Sequence, residues 1–546
     1  SKSEMEKLGS WQVPDALSYT PGIYIKDYGG LGGLKTISIR GTSAQQTLIM
    51  LNGMPLNSPQ NGVFDLSAFP ATMTQNIELT RGGASAIYGG NAVGGVVNFL
   101  SDIPRDISMM FNAGSFNQLM MAAQLPYKSE FEFLGKPTRT GFSANIEYSR
   151  SDGNYNFNTM QFGKSVKMTR KNGDFENLSL MLNSYVNFLG SGWTVKPLLL
   201  LRLTDRGTPG AVVQGNVESG NARLEESQLF GLIGISKIFE DASMLNFSFM
   251  ADFSNQVYSD VNSLALGIDR NNEYKNTRGL LKSKYSAVFN GFTADFSAEA
   301  GYTSLKGDML QPDAGDNVIR RHAAFSADLE TELRSKTADF LFNAGARSDF
   351  ITGFSPAVSP MGGIIADFND FPVLVRGSWS YNFRPPSFNE MYYLNFGNDD
   401  LLPERSHSLN LGIELSPCDQ INISANAFLI STADRIIAIP KSPVSWSAQN
   451  IGEVLTRGVE FAAGTSFLDD KLNINFSYTR QLATDESADS PTKGSQIVYI
   501  PQEIISGYLT FKFKLITTGI TGQYSSFRYS LPGNSYDSVL PEYLLI

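Results

Sequence analysis

The chain has 546 residues, of which 42% are hydrophobic and 18% charged, and its formal net charge is −10. No segment approaches the roughly 18 unbroken apolar residues that a membrane-spanning helix needs, so helical membrane spans are excluded. The acidic balance and the lack of a basic tract argue against a nucleic-acid partner, because phosphate binding depends on clustered lysine and arginine. A single cysteine, Cys418, excludes a disulfide framework, and two histidines make a histidine-rich metal site unexpected.

Residues 1–102 have the pattern of a small mixed α/β domain. SWQVPDALSY favours a helix, and the extended segments that follow it are TISIRG, QTLIMLNG, QNIELTRGG and GGVVNFLS. Asn52-Gly53, between two apolar runs, is a hairpin signal. Five glycine pairs mark tight turns or close backbone approach: 29–30, 32–33, 82–83, 89–90 and 94–95. This glycine density is typical of a domain that packs inside another structure.

From about residue 107 onward, apolar and polar residues alternate in segments of about ten residues, as in GFSANIEYS (141–149). That length and period predict strands that cross a bilayer obliquely. Short links such as FLGSGW (188–193) alternate with long polar segments such as 150–177 and 204–227. An outer-membrane barrel has this arrangement, with short periplasmic turns and long external loops. A large secreted all-β protein is the alternative, but it would normally show a blade repeat of about 40 to 50 residues, and none is found.

The strand pattern gives about 19 complete strands, and PEYLLI (541–546) opens another. A bacterial barrel needs an even number of strands to close without an exposed edge. About two more strands after the opening one would give 22, the size that holds a plug in its lumen. We therefore expect the last strands of the barrel to be missing from this chain.

Several stretches of the sequence resemble the TonB-dependent receptors. In the N-terminal region they are PDALSYTPGIYI, ISIRGTSAQQTLIMLNGMPLN and DLSAFPATMTQNIELTRGGASAIYGGNAVGGVVNFLS, which are similar to the plug of that family. In the remainder they are FRPPSFNEMYY (383–393), NDDLLPERSHSLNLGIE (398–414) and NIGEVLTRGVEF (450–461), which resemble its barrel. The prediction is an all-β transmembrane barrel of 22 antiparallel strands, residues 103–546 and C-terminally incomplete, around a small α/β plug domain, residues 1–102.

The resemblance implies energised uptake of a scarce large solute across the bacterial outer membrane. The expected partners are outer-membrane lipid and the TonB, ExbB and ExbD complex, whose binding motif should precede residue 1. The plug is most similar to that of vitamin B12 receptors, through DLSxFP, SAxYG and GGVVN, so cobalamin or a related corrinoid is the expected ligand. Siderophore receptors share much of this signature, and a ferric siderophore or another iron chelate is the alternative. Haem is less expected, because residues 387–397 contain no histidine.

Other functions have less support in the sequence. A passive pore would have no plug of this kind, and an adhesin or signalling receptor would use the barrel only as a platform. Catalysis has no motif, because Ile87 occupies the last position of a would-be G-x-S-x-G, and GGLGG lacks the GK[ST] ending of a phosphate loop. We therefore expect no enzyme activity and no cofactor.

The resemblance also implies contacts between plug and barrel. Arg40 and Arg81 are expected to face the barrel wall and pair with acids, one of which is Glu460. The second acid would fall at position 410, where this chain has Asn, so that the pair is either incomplete or rebuilt with Glu404 or Glu414. In the alternative, both arginines lie in wet crevices that face the periplasm.

The ligand is expected to meet the outward plug loops, around residues 28–34 and in LNSPQNG (56–62). The predicted ligand contacts are Tyr28, Asn57, Gln60 and Asn61 from the plug, with Tyr392, Tyr393 and Asn395 closing over the ligand from the barrel. Packing or interface roles are the alternative for the tyrosines. Calcium is a candidate ligand of the loop acids Asp316, Asp399 and Asp400, although solvation explains their placement as well. A surface lipoprotein over the loops is a further candidate partner, on which the sequence is silent.

Overall fold

The structure is a computed structural model that describes residues 2–8, 12–30, 32–210, 212, 220–260, 270–442, 445–450, 452–488 and 490–546. Most of these residues are in antiparallel strands. Within these ranges, none of the helices has the length and apolar character to cross a membrane.

The N-terminal domain contains short elements, which in chain order are α1 Lys2–Lys7, α2 Val13–Leu17, β1 Ile23–Asp27, β2 Lys35–Ile39, β3 Thr47–Leu51, β4 Met54–Pro55, β5 Asn76–Arg81, α3 Ser85–Tyr88 and β6 Gly95–Leu100. Strands β1 and β2 form a hairpin, and the other four form a mixed sheet in the order β4-β3-β6-β5, with β3 and β6 parallel. Asn52 and Gly53 both have positive φ, as the tight β3–β4 turn requires. A helix was predicted over residues 10–19, and the observed helix α2 covers only Val13–Leu17. Residues 10 and 11 of the predicted segment lie outside the described ranges.

The remaining elements are, in chain order, β7 Ser108–Gly114, β8 Gln118–Phe133, β9 Lys136–Ser151, β10 Tyr155–Gln161, β11 Lys164–Arg170, β12 Phe175–Phe188, β13 Trp193–Gly207, β14 Arg223–Ile238, β15 Met244–Asp260, β16 Arg270–Phe289, β17 Phe292–Gly307, β18 Asn317–Arg334, β19 Ala338–Ile351, β20 Ala357–Phe368, β21 Val373–Arg384, α4 Phe388–Tyr392, β22 Glu404–Cys418, β23 Ile421–Ala433, β24 Ile436–Ser442, β25 Ser445–Asn450, β26 Glu453–Phe467, β27 Leu472–Asp485, β28 Glu503–Phe513, β29 Ile516–Ser525, β30 Arg528–Tyr529, β31 Val539–Leu540 and β32 Tyr543–Leu545.

In the described ranges, twenty of these strands form one large sheet, which excludes only the loop hairpins β10–β11, β24–β25 and β30–β31. Its order follows the chain from β7 to β29 apart from those hairpins, and β32 pairs with β29 and lies beside β7. The transmembrane barrel is confirmed, as is the count of 19 strands plus one that opens at the C-terminal end. The two further strands expected beyond residue 546 stay a prediction.

Alternating side chains on the barrel strands face opposite environments. In β13, Leu200 is 1% exposed and packs inward, whereas Leu199 next to it is 40% exposed on the outer surface. A strand with one face toward lipid and one toward the lumen requires this period of two. The predicted alternation of short and long connections is confirmed with two exceptions, because residues 115–117 and 352–356 are short links on the long-loop rim.

The plug and the barrel wall share a hydrophobic core. Ile39, Ile49 and Phe99 of the plug belong to the same buried cluster as Phe230 and Met250 of the barrel. Apolar side chains that point into an open lumen would be exposed to water, so the plug supplies the surface that buries them. The predicted domain boundary at residue 102 lies in the connection between β6 and β7.

Candidate functional site

A cavity of about 1030 Å³ lies between the plug and the long-loop rim of the barrel. The plug lines it with the β1–β2 turn and with the loop after β4, and the barrel lines it with the inner faces of β13 to β15. Tyr155 and Phe157, from the loop hairpin β10–β11, line it as well. Because long loops of such barrels face the outside, the cavity is on the external side of the plug. Its volume is at the upper end of the roughly 300 to 1,000 Å³ that is usual for small-molecule sites.

The lining combines uncharged polar groups with aromatic rings. Its amide side chains are Gln45, Asn61, Gln228, Asn255 and Gln256, and its aromatic ones are Tyr24, Tyr28, Phe64, Tyr155, Phe157 and Tyr499. Hydroxyl groups of several serines and threonines add to this set. Among the described lining residues there is no histidine, cysteine or methionine. The surface is therefore suited to a ligand that offers amide or hydroxyl groups and flat apolar faces.

The acidic groups of the cavity wall are bound by neighbouring arginines. Arg206 donates to Asp65 of the plug at 2.5 Å and to Glu226 at 2.7 Å. Arg278 donates to Asp252 at 2.7 Å and also, at 3.1 Å, to the backbone oxygen of Asn57 in the plug. These pairs hold the outward plug loop against β13 to β16 and neutralise most of the charge there.

Two of the predicted ligand residues line the cavity. Tyr28 is 54% exposed, and Asn61 lies in the lining, with its Oδ1 accepting from the Val63 amide at 3.0 Å. The Lys26 Nζ is 4.8 Å from the centre of the Tyr28 ring and 3.8 Å from that of Tyr499. A cation between two rings restricts both of them, so this edge of the cavity is partly preorganised.

Asn57 and Gln60, which were predicted to contact the ligand, are buried and do not line this cavity. The Asn57 side chain accepts from the Ile49 amide at 2.7 Å and donates to the carbonyls of Thr47 and Gly62, each at 3.0 Å. Its amide group is thus fully used in holding the plug loop. A buried polar group in a turn needs such partners, and the sequence alone does not distinguish this role from ligand binding.

Tyr392, Tyr393 and Asn395, the predicted ligand contacts of the barrel, also lie away from the cavity lining. Tyr392 packs near Phe388 within α4, and Tyr393 pairs with Leu310 of a neighbouring connection. Asn395 has a positive φ of 61° and serves as a turn residue. These contacts favour the packing role for the two tyrosines, and ligand contact stays a prediction.

The connection that carries these residues binds the plug. At the start of α4, the backbone amide of Phe388 donates to the Pro59 carbonyl at 3.2 Å and that of Asn389 to the Gln60 carbonyl at 2.7 Å. Ser387 and Glu390 form a capping box that begins this helix. The S-x-x-E pattern was the signal in the sequence for this helix start. The FRPPSFNEM segment thus clamps the outward plug loop.

Arg40, Arg81 and Glu460 meet in the seam between plug and barrel. Arg40 donates to both oxygens of Glu460, at 2.7 Å from Nε and 2.9 Å from Nη2, and Arg81 donates at 3.0 Å. The side chains of Arg40 and Glu460 are 3% and 0% exposed. Arg40 therefore does not lie in a solvated crevice that faces the periplasm, which was the alternative prediction. Burial lowers the pKa of the Arg81 guanidinium, and the Glu460 carboxylate opposes part of that change.

Asn410 itself takes the place of the second acid. Its Oδ1 accepts a hydrogen bond from Arg40 Nη1, so the expected rebuilding with Glu404 or Glu414 does not occur. Glu404 instead accepts from Gln46 of the plug at 2.8 Å and from Arg384 at 2.7 Å. It is therefore a plug–barrel contact, but with another partner. Glu414 lies near Arg376, at 3.8 Å.

Further along the same seam, α3 of the plug is bonded to β21. Asn382 accepts from the Ser85 amide at 3.1 Å, and Ser380 donates to the Gly83 carbonyl at 3.0 Å. A Cβ atom on Gly83 would lie 1.9 Å from the Asn382 Nδ2. Glycine is required there because the plug backbone touches the wall, as the glycine pairs predicted.

No cluster of three or more metal-binding side chains occurs in the part of the chain that the structure describes. Among the predicted calcium residues, Asp316 is exposed and 3.9 Å from Lys306. Calcium binding stays a prediction.

Comparison with protein families places both parts of the chain. The family described as "TonB dependent receptor-like, beta-barrel" matches residues 118–545, and "TonB-dependent Receptor Plug Domain" matches residues 1–96. The vitamin B12 transporter BtuB of Vibrio vulnificus is 25% identical over 85% of this chain and 71% of its own length. The vitamin B12 transporter BtuB of Photobacterium profundum is 24% identical over 90% of this chain and 76% of its own length.

Solved structures with the same fold include receptors for other ligands. The siderophore receptor PirA of Acinetobacter baumannii has a TM-score of 0.74 at 14% identity, with 100% of this chain and 90% of that one covered. The copper transporter OprC has a TM-score of 0.76 at 12% identity, with 98% and 88% covered. At these identities the likeness shows the fold alone. The chain belongs to the TonB-dependent receptors, a family of receptors and transporters, not enzymes, in the outer membrane of Gram-negative bacteria.

Proposed function

We propose that this receptor binds and imports cobalamin or a related corrinoid. The observation that carries the proposal is the external cavity, which has a volume of about 1030 Å³ and is lined by amides, hydroxyls and aromatic rings. Cobalamin is a large flat macrocycle whose edge carries amide groups. Amide side chains such as Gln228, Asn255 and Gln256 match those groups as donors and acceptors, and the rings match its flat faces.

A ferric siderophore is the second candidate, favoured by the structural likeness to siderophore receptors. Ferric catecholates carry several negative charges, for which a strongly cationic pocket is the best match. The described lining has five basic residues, Lys26, Arg170, Arg202, Arg206 and Arg435, against the three acids Asp65, Glu226 and Asp252. An excess of two positive charges suits a ligand with a small negative charge better than a highly charged one.

A copper substrate has less support. Copper prefers imidazole, thiolate and thioether ligands, and none of these groups occurs in the described part of the cavity lining. The two B12 transporters also align along most of this chain. Both observations favour the corrinoid over a metal ion.

We propose that import requires the TonB, ExbB and ExbD complex. Besides the apolar contacts of the shared core, polar contacts attach the plug to the wall, among them those from Arg40 and Arg81 to Glu460. Polar contacts can exchange with water when the plug is pulled, whereas an apolar seam would have no such replacement partner. A passive pore would not need a plug held in this way.

The test is calorimetric binding of the purified receptor in detergent to cyanocobalamin, to ferric enterobactin and to ferrichrome. Sub-micromolar cyanocobalamin binding that weakens several-fold in Asn61→Ala supports the proposal. Asn158→Ala is the matched control, because Asn158 is exposed on the β10–β11 hairpin outside the cavity lining and should leave the affinity unchanged. Binding of a ferric siderophore without cyanocobalamin binding would overturn the corrinoid assignment in favour of the second candidate.

A further inference from the structure

Arg202 differs from Arg206, the next arginine on the same cavity wall. It lies on β13, faces the cavity and is only 9% exposed. Among the described residues, no carboxylate is within ion-pair distance of its guanidinium, and its Nε and Nη1 have no hydrogen-bond partner. Arg206, further along the same face of the strand, is bound by two carboxylates.

A buried guanidinium without a partner is unfavourable, because it has lost water and gained no equivalent hydrogen bonds. The nearest acids attract this charge but do not satisfy its N–H donors, since Asp65 and Glu226 are bound by Arg206, and Asp252 by Arg278. The contact found for the Arg202 guanidinium is with the Phe64 ring of the plug, whose centre is 5.4 Å from its Cζ. This contact holds the group in place but gives its N–H donors no acceptor.

We infer that Arg202 anchors a single anionic oxygen group of the bound ligand, a phosphate or carboxylate. A guanidinium binds such groups through charge-assisted hydrogen bonds, often two at once. The inference rests on the proposed function and narrows it. The ligand is large and mostly neutral, with one negative charge that must lie over the β13 wall.

A second guanidinium of the lining is in a similar state. Arg170, on the covering hairpin, donates to the Gly210 carbonyl, but its Nη1 is buried and has no partner. The cavity thus has hydrogen-bond donors without an acceptor both on β13 and on the hairpin β10–β11, within a protein whose overall charge is negative. An anionic group would be attracted into this local excess of positive charge.

For a corrinoid, the anionic group is the phosphodiester that links the lower nucleotide to the macrocycle. Cobinamide has the same macrocycle and amides but lacks the nucleotide and its phosphodiester. The inference therefore predicts that the receptor discriminates between the two compounds, and that Arg202 is a specificity-determining residue.

The experiment measures the dissociation constants of cyanocobalamin and dicyanocobinamide for the whole receptor and for Arg202→Met, Arg202→Lys and Arg223→Met. We expect the native receptor to prefer cyanocobalamin, and Arg202→Met to weaken that compound about 10- to 100-fold with little change for dicyanocobinamide. Arg202→Lys should retain part of the preference because it keeps the charge. Arg223→Met is the control, since Arg223 is on the same wall, outside the cavity lining, paired with Asp174 and Asp205.

Thermal unfolding without ligand separates this role from a structural one. Replacing an unpaired buried charge by an apolar side chain should not lower the midpoint, whereas loss of a structural contact would. Equal weakening of both corrinoids by Arg202→Met, or no weakening at all, would overturn the inference and leave the corrinoid function in place.

The inference is also testable if the corrinoid function fails. The same variants are then compared on ferric enterobactin, which is anionic, and ferrichrome, which is neutral. A preference for the anionic complex that Arg202→Met removes would support the anchor with another ligand class. Failure of every compound to bind would overturn both the anchor and the proposed function.

Discussion

The plug meets the barrel wall in two different ways. Toward β21, β22 and β26, glycine backbone lies directly against the wall: a Cβ atom on Gly22 would lie 2.1 Å from Glu460 Oε1, and one on Gly83 would lie 1.9 Å from Asn382 Nδ2. Toward β13 to β15, a cavity of about 1030 Å³ separates the two, and Arg206 is a bridge between them. One wall holds the plug, and the other leaves room for a ligand.

Because of this difference, arginine side chains have different roles at the two walls. In the close seam, Arg40 uses all three guanidinium nitrogens, two of them on Glu460, and so fixes the position of the plug. On the open wall, Arg202 has no carboxylate partner among the described residues. A guanidinium that is paired with a carboxylate therefore attaches the plug, whereas the unpaired guanidinium of Arg202 is left for the ligand.

Glu460→Gln should give the largest effect, because it removes the carboxylate that the buried Arg40 and the partly buried Arg81 share. Breaking a buried ion pair by removing one partner costs on the order of 3 to 5 kcal/mol. We expect faster hydrogen–deuterium exchange in β2 and β5 of the plug and a lower midpoint of plug unfolding. Both are measured on the purified receptor by mass spectrometry and denaturant titration.

Glu414→Gln is the matched control for that change. Glu414 is half-exposed and 3.8 Å from Arg376, so its loss should cost less than about 0.5 kcal/mol. An equal loss of plug protection in the two variants would contradict the assignment of Glu460 as the main attachment.

Gly83→Ala is expected to have the next largest effect. Its methyl group must displace Asn382, which is fully buried and accepts from the Ser85 amide. Overpacking of this kind costs roughly 1 to 3 kcal/mol. Adding Asn382→Ala should make room, so that the double variant is less destabilised than the sum of the two single ones. Simple additivity in this cycle would be evidence against the contact.

Gly279→Ala is the control for Gly83→Ala, at a glycine where an added methyl group meets no neighbouring atoms. Nothing lies within 4 Å of a Cβ atom at Gly279, on the barrel strand β16. We expect its unfolding midpoint to stay close to that of the native receptor.

Asp65→Asn should have a smaller effect on the plug. It weakens the bond from Arg206, but Arg206 keeps Glu226 at 2.7 Å, and the new amide oxygen can still accept from the Lys35 and Ser67 amides. We expect a cost of about 1 kcal/mol, confined to exchange protection in residues 56–66. A loss as large as that in Glu460→Gln would mean that the open wall holds the plug as strongly as the seam does.

The sequence predicts the architecture well because its signals are local and repeated. The alternation in GFSANIEYS recurs in strand after strand, and each strand must place one face in lipid, so the pattern tolerates few exceptions. Arg40 and Glu460 were found through motifs. Their pairing across 420 residues of chain was implied by resemblance and has no local sequence signal.

The ligand residues were harder to predict, because an amide in a loop has the same appearance whether it binds a ligand or its own backbone. Asn57 bonds to three groups of the plug, whereas Asn61, four residues later, lines the cavity. The unpaired state of Arg202 has no sequence signal either, since it depends on which carboxylates Arg206 and Arg278 already bind.

The smallest predicted difference concerns two tyrosines that the sequence treated alike. Tyr28→Ala removes an exposed ring from the cavity and should weaken cyanocobalamin binding about 3- to 10-fold, the usual contribution of one stacking contact. Tyr393→Phe removes a hydroxyl from the cluster that contains Tyr274, outside the cavity, and should change the affinity less than about twofold. Calorimetry of the two variants beside the native receptor measures both effects. If Tyr393→Phe weakened binding more than Tyr28→Ala, the ligand would lie over α4, and the division between a holding wall and a binding wall would have to be redrawn around that helix.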